Sequence, residues 1–134
     1  MPHERKLPTD PEEWLSRAKS NLERSKMRSS SVYLEDLCFD AQQAAEKSFK
    51  ALLIKRGVSF PYVHDLAHLA TLLEQAGQEL PEFARQAESL TRYAVVTRYP
   101  GLAEPVSEEQ YQEAISLADA VVKWAESIIL EKGN

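Results

Sequence analysis

The chain has 134 residues, of which 43% are hydrophobic and 28% are charged, and it contains one cysteine. A chain of this size buries enough apolar surface to fold as one domain without a disulfide or a metal. Its net charge of −5 argues against nonspecific binding to a nucleic-acid backbone, which depends on an excess of lysine and arginine. No apolar stretch approaches the roughly 20 residues that a membrane span needs, so we expect a cytoplasmic protein.

The first two predicted elements are long helices. Helix 1 begins near Asp10–Pro11, where a capping carboxylate precedes a proline, and it carries Trp14 and Leu22 on one face. Helix 2 is predicted from about Val32 to Arg56 and ends at Gly57, because glycine readily adopts the left-handed conformation that closes a helix.

Three further helices follow. Helix 3 comes after His64–Asp65, has leucines at spacings of three and four, and closes at Gly77. Helix 4 starts at Pro81–Glu82 and cannot continue past Tyr99, because the residue before a proline is pushed out of helical geometry. The capping-box pattern Ser107–Gln110 opens the last helix, which is predicted to run to about Glu131.

This pattern predicts an all-α fold. The helices are long, the connections are short, and no strand pattern competes with them. We therefore predict an up-and-down antiparallel bundle of four long helices plus one shorter helix. Residues 1–134 are expected to form a single domain with its core at about 10–131.

Helix 2 has a second stripe beside its main apolar face. An exposed face would be mostly charged, whereas this one alternates polar residues with aromatic or aliphatic ones, so something should cover it. The cover is either another helix of the same chain or a second subunit. The candidate interface residues are Phe39, Gln42, Glu46, Phe49 and Leu53.

The opposite side of helix 2 is predicted to face water. It carries Gln43, Lys47 and Lys50. Lys50 also stands four residues after Glu46, a spacing that favours an ion pair along the helix.

His64 and His68 have the H-x-x-x-H spacing that lets two imidazoles on one helical face bind zinc. No later histidine exists to complete a set of ligands. The simpler interpretation is that His64 and Asp65 cap helix 3 and hydrogen-bond across the bundle, while His68 faces solvent or packs. We expect neither a metal nor another cofactor.

The segment TRYPG, residues 97–101, is a second candidate site. Arg98 and Tyr99 stand at a helix end that the following proline enforces, and an arginine's rigid fork of donors suits phosphate. Alternatively, Arg98 pairs with a carboxylate such as Glu46 or Asp65 and only holds helix 4 to its neighbours.

Taken together, these motifs resemble the HEPN family (higher eukaryotes and prokaryotes nucleotide-binding). The resemblance rests on Trp14, on AQQAAEKSFKALLIKRG at 41–57, on HDL at 64–66, on TRYPG at 97–101 and on a late helix with Ala118 and Trp124. It spans about residues 10–130. The set in this order is specific, although each piece alone is weak. It implies an antiparallel helical bundle that dimerises.

The resemblance also implies partners and an activity. Stand-alone prokaryotic members are commonly encoded beside a minimal nucleotidyltransferase, and some pairs act as toxin and antitoxin. Active members are metal-independent ribonucleases with an arginine followed four to six residues later by histidine. Here no histidine follows Arg92 or Arg98, and seven residues separate Arg56 from His64. The ribonuclease motif is therefore absent, and an enzyme is not expected.

We therefore expect a dimeric module that binds a nucleotide or an RNA group and partners a minimal nucleotidyltransferase. Two alternatives stay open: a ribonuclease toxin that uses Arg98 with His64 across the dimer, and a purely structural protein-interaction bundle. In the main hypothesis Arg98 and Tyr99 contact phosphate and base, with His64, Asp65 and Arg92 beside them. The polar residues of helix 2 belong either to the surface where this helix pairs with its cover or to the pocket wall; they are Gln42, Gln43, Glu46 and Lys47.

Overall fold

The computed structural model describes residues 6–94 and 105–131, and over these ranges the chain is helical and contains no strand. The all-α prediction is confirmed. No helix in this described part is both long enough and apolar enough to cross a membrane. The elements are α1 (Pro11–Ser25), α2 (Leu34–Lys55), α3 (Leu66–Gln75), α4 (Glu82–Gln86), a 3₁₀ segment (Ala87–Ala94) and α5 (Glu108–Ile129).

Helix α2 is the centre of the fold. It packs against α1, α3, α5 and the 3₁₀ segment. Both of its apolar stripes are buried: Ala41 and Leu52 represent the main one, and Phe49 and Leu53 the second. A helix that is buried on most of its circumference must be surrounded by other elements, and here they share one hydrophobic core with it.

The starts of three helices are fixed by side chains that cap free backbone N–H groups. Asp10 accepts a hydrogen bond at the first turn of α1, and Asp65 does the same for α3. At α5, Ser107 Oγ accepts from the Gln110 N–H at 3.1 Å, and Gln110 Oε1 accepts from the Ser107 N–H at 2.9 Å. These starts agree with the sequence predictions, because a cap is a local signal.

Helices α2 and α3 end at glycines in the left-handed region, with φ of 72° at Gly57 and 93° at Gly77. After α2 the Val58 N–H donates to the Leu53 carbonyl at 2.9 Å, which is the long hydrogen bond of a Schellman motif. The motif reverses the chain direction. The loop that follows, residues 56–65, carries Phe60 back against Trp14 of α1.

The segment predicted as helix 4 forms a short α-helix followed by a 3₁₀ segment over the residues that the structure describes. Helix α4 has only five residues and continues as an eight-residue 3₁₀ segment. Because a 3₁₀ helix has three residues per turn, Ala87, Leu90 and Tyr93 fall on one side, and all three are buried. The apolar spacing of this segment also suits an α-helix, so periodicity alone does not distinguish the two.

Candidate functional site

The carboxylate of Glu46, on α2, is the centre of the candidate site. Its side chain is only 4% exposed. Oε2 accepts a hydrogen bond from Lys50 Nζ at 2.8 Å, and Oε1 lies 2.9 Å from both Gln42 Nε2 and His64 Nδ1. These contacts bring together a carboxylate, an ammonium group, an amide and an imidazole at one point of the fold.

The charge state of Glu46 follows from these contacts. Burial alone would raise the pKa of this carboxyl group, but hydrogen bonds from Lys50, Gln42 and His64, together with the positive charge of Lys50, hold the pKa below its ordinary value of 4.5. Glu46 is therefore ionised at neutral pH and acts only as a hydrogen-bond acceptor.

The second stripe of α2 is covered by the chain itself. Gln42, Phe49 and Leu53 are fully buried and Glu46 is 3% exposed. The expectation of a subunit interface is therefore corrected at these four positions, because side chains that lie inside one chain cannot contact a second chain directly. Phe39 is half-buried, so it differs from the other four.

Lys50 does not face water as the helical wheel suggested. Its side chain is 9% exposed, and its ammonium group lies 5.4 Å from the ring centre of Phe60 and 5.9 Å from those of Trp14 and Tyr62. Three aromatic rings and the Glu46 carboxylate thus surround one cation. Cation–π attraction and the ion pair together compensate for the loss of hydration.

A cavity of about 480 Å³ opens over this group, between α1, α2 and the loop 56–65. Its size falls in the range that binds small ligands. Among the residues that the structure describes, four basic and two acidic side chains line the cavity. The cavity therefore has an excess of positive charge, although the net charge of the protein is −5. The residues of this wall include Lys6, Arg17, Lys47 and Lys50, the acids Glu13 and Glu46, the aromatics Trp14, Phe60 and Tyr62, and also Gln43 and His64.

Lys47 is held at the cavity by a polar network between α1 and α2. Its Nζ donates to Asn21 Oδ1 at 2.7 Å, and Asn21 Nδ2 donates to Asp40 Oδ1 at 3.0 Å. Arg24 pairs with the same Asp40 at 2.9 Å. Burial lowers the pKa of Lys47, so its charged form is under-solvated, and an anion bound beside it would restore that lost stabilisation.

The two histidines have separate roles in the structure. His64 precedes the helix and reaches across the bundle to Glu46, whereas Asp65 caps α3 and His68 lies exposed in its first turn. Because α3 begins at Leu66, the two imidazoles do not share a helical face. The capping and cross-bundle interpretation is therefore confirmed in part: Asp65 alone caps α3, and His64 alone hydrogen-bonds across the bundle. No cluster of metal-ligating side chains occurs within residues 6–94 and 105–131.

The other predicted site residues are not gathered at the cavity. Arg92 is exposed on the 3₁₀ segment, with its guanidinium 5.4 Å from the ring centre of Tyr93, and neither it nor Asp65 lines the cavity. Arg98 and Tyr99 lie outside the residues that the structure describes.

Sequence reasoning misses the aromatic part of this site. The apolar pattern assigns Trp14 to the core face of helix 1 and gives Phe60 and Tyr62 no role. One signal is available, because a short proline-containing loop that carries two aromatic residues is unusual for a solvated connection. Tyr62 is fully exposed at the edge of the cavity, which is uncommon for so large a ring.

Comparison with known proteins identifies the family to which this helical chain belongs. The family model of the HEPN domain matches residues 11–128, which is most of the chain. The chain belongs to the HEPN domain family. Comparison with curated proteins gave no match.

Two solved structures are similar to this HEPN domain. One is ST0689, an archaeal HEPN homologue, with 27% identity and a TM-score of 0.69 over 90% of this chain and 98% of that one. The other is TT1696 from Thermus thermophilus, with 28% identity and a TM-score of 0.70 over 87% of this chain and 96% of that one. The resemblance inferred from the sequence is thus confirmed at the level of family and fold.

Proposed function

We propose that this HEPN protein binds a nucleotide, either free or at the end of an RNA, in the cavity between α1, α2 and the loop 56–65. The observation that carries the proposal is the combination of basic and aromatic side chains on one cavity wall. A nucleotide has the two matching parts, an anionic phosphate and a planar base. Bases stack on aromatic rings, and phosphate is attracted by lysine and arginine.

The charge distribution favours a compact ligand. The chain has 21 acidic and 16 basic residues, so a long nucleic-acid strand would be repelled over most of the surface. One phosphate group at the cavity meets the local excess of positive charge and avoids that repulsion. Lys47 is the best placed lysine to donate a hydrogen bond to the phosphate, because Lys50 is already paired with Glu46.

The direct test is isothermal titration calorimetry with adenosine monophosphate. Lys47→Gln should weaken binding about tenfold, as the loss of one charged hydrogen bond would. Tyr62→Leu should weaken it by a similar factor, because stacking of one base is worth about 1–3 kcal/mol. The matched controls are Lys123→Gln on α5 and Tyr33→Leu before α2, an exposed lysine and an exposed tyrosine that do not line the cavity. If neither cavity variant weakened binding more than its control, the proposed site would be wrong.

Arg98 and Tyr99 are proposed as further phosphate and base contacts beside His64, whereas Asp65 and Arg92 do not line the cavity and are not proposed as contacts there. The support is the chemistry of an arginine fork next to an aromatic ring. Arg98→Ala should weaken nucleotide binding in the same calorimetric experiment. Unchanged binding would remove Arg98 from the site without affecting the cavity assignment.

The partners are also part of the proposal. We propose a cytoplasmic homodimer that forms a complex with a minimal nucleotidyltransferase as a toxin–antitoxin-like pair, as the family resemblance implies. Light scattering of the purified protein tests the dimer. Co-purification with a small nucleotidyltransferase encoded in the adjacent reading frame tests the complex, and growth of cells expressing each protein alone or both together tests toxicity.

A second function is favoured by one contact. His64 is oriented by Glu46, as an imidazole that transfers protons would be. A ribonuclease that uses His64 together with Arg98 across a dimer would cleave structured RNA in the presence of a chelator, and His64→Ala would abolish the cleavage. No cleavage by the wild-type protein would leave the binding module as the function.

A further inference from the structure

The contact between Glu46 and His64 determines which ring nitrogen carries the proton. Ionised Glu46 can only accept hydrogen bonds, so the Nδ1 that lies 2.9 Å from its Oε1 must be the protonated nitrogen. In a neutral imidazole the other nitrogen, Nε2, then has a free lone pair and is an acceptor. The contact with Glu46 thus places the proton of the neutral His64 ring on Nδ1.

The free nitrogen of His64 is available to a ligand. The side chain is 56% exposed and lines the cavity, and within residues 6–94 and 105–131 Nε2 has no hydrogen-bond partner. The ring is held from one side by a buried group and is open to the cavity from the other. Such a rigid acceptor loses little conformational freedom when it binds.

This acceptor is chemically unlike most of the cavity wall. The ammonium and guanidinium groups only donate hydrogen bonds, and the Glu13 carboxylate is paired with Arg17 at 2.7 Å. A carboxylate would repel a phosphate, whereas neutral imidazole can accept a hydrogen bond beside a phosphate without charge repulsion. A ligand that uses this nitrogen therefore carries a hydroxyl or N–H donor close to its anionic group.

We propose that His64 Nε2 accepts a hydrogen bond from a ribose hydroxyl of the bound nucleotide, so that the cavity selects ribonucleotides over deoxyribonucleotides. Glu46 is the positioning residue, because it acts through His64. This inference rests on the proposed nucleotide-binding function and adds the feature that determines specificity. The ribose hydroxyl is the group by which proteins distinguish RNA from DNA at a given site.

The test compares the binding of three ligands by calorimetry: adenosine monophosphate, its 2′-deoxy analogue and its 3′-deoxy analogue. The wild-type protein should bind at least one deoxy analogue about tenfold more weakly, because the analogue leaves the imidazole acceptor without a partner. His64→Leu should bind all three with equal affinity. The control His68→Leu removes an exposed histidine outside the cavity and should keep the wild-type preference.

The outcomes distinguish a failure of this inference from a failure of the proposed nucleotide-binding function. Equal binding of the three ligands by the wild-type protein would overturn the inference and leave the nucleotide site intact. A preference that survives in His64→Leu would also overturn it, because another residue would then recognise the hydroxyl. If no ligand bound at all, both the inference and the proposed site would fail.

A second measurement uses only the wild-type protein, so it does not depend on whether a variant folds. The nitrogen chemical shifts of the His64 imidazole distinguish the two tautomers in solution. The inference requires the proton on Nδ1. A dominant tautomer with the proton on Nε2 would overturn it.

Discussion

Lys50 Nζ lies 2.8 Å from Glu46 Oε2, one helical turn away, and the two side chains are only 9% and 4% exposed. An ion pair at this spacing is ordinary on a helix surface, where it contributes a few tenths of a kcal/mol. Here both charges have lost most of their hydration, so each depends on the other and on the surrounding rings and amides. The pair therefore connects the stability of α2 with the candidate site.

Removal of the cation should destabilise the fold strongly. Lys50→Met keeps the length of the side chain but leaves Glu46 as a buried charge without its ammonium partner, and we expect a loss of about 3 kcal/mol. Chemical denaturation followed by circular dichroism measures it. Lys55→Met, an exposed lysine in the last turn of the same helix, should change stability by less than about 0.5 kcal/mol.

A double variant tests whether the uncompensated charge of Glu46 causes the loss of stability in Lys50→Met. Glu46→Gln combined with Lys50→Met removes both charges, so it should be more stable than Lys50→Met alone by about 1–2 kcal/mol. If the double variant were the less stable of the two, the uncompensated charge would not be the cause of the loss.

Acid should destabilise the protein partly through Glu46. The folded-state pKa of this group is lower than its ordinary value of 4.5, so the unfolded chain binds more protons than the folded one in this range. The stabilisation is present above the unfolded pKa and is lost as the pH falls through the folded pKa. Denaturation between pH 7 and 3 should show a shallower decrease for Glu46→Gln than for the wild type, whereas Glu79→Gln, an exposed carboxylate before α4, should follow the wild type.

Cys38 should be unreactive in the folded protein. Its side chain is fully buried, and burial raises the pKa of its thiol to about 12, so almost no thiolate exists at neutral pH. A chromogenic thiol reagent should react with the native protein only as fast as the protein opens, and promptly in denaturant. The variant Ser127→Cys, which adds an exposed thiol on α5, should show one rapid equivalent; rapid reaction of the wild type would contradict the buried position.

The capping box at α5 should contribute measurably to stability. Ser107→Ala removes the acceptor for the Gln110 N–H, and a loss of about 1 kcal/mol is expected. Ser116→Ala, at an exposed position in the middle of the same helix, serves as the control and should be neutral or slightly stabilising, because alanine is the better helix former. Equal effects of the two substitutions would mean that the cap adds nothing.

The sequence was sufficient for features that depend on neighbouring residues. Helix caps and glycine helix ends involve only groups a few residues apart in the chain, so residue type and spacing identify them. The examples here are the caps Asp10, Asp65 and Ser107 and the helix ends at Gly57 and Gly77. The cross-bundle role of His64 was also expected. The order of the motifs was enough to indicate the HEPN family.

The candidate site itself depended on distant residues. The helical wheel predicts that Lys50 faces water, because it contains no information about the loop that folds over this side chain. Trp14 and Phe60 are 46 positions apart in the chain, and only the reversal at Gly57 brings them together at 5.8 Å between ring centres. The second stripe of α2 also depends on distant residues. Periodicity predicts that Phe49 and Leu53 are buried, but it does not predict whether the same chain or a second subunit covers them.

The two tryptophans allow the central claim to be tested in one spectrum. Trp14 lines the cavity, whereas Trp124 on α5 packs against Phe49 and Phe83, away from it. During a titration with adenosine monophosphate, the indole N–H resonance of Trp14 should move along a saturable curve and that of Trp124 should stay in place. Movement of neither resonance, or of Trp124 alone, would contradict a nucleotide site between α1, α2 and the loop 56–65.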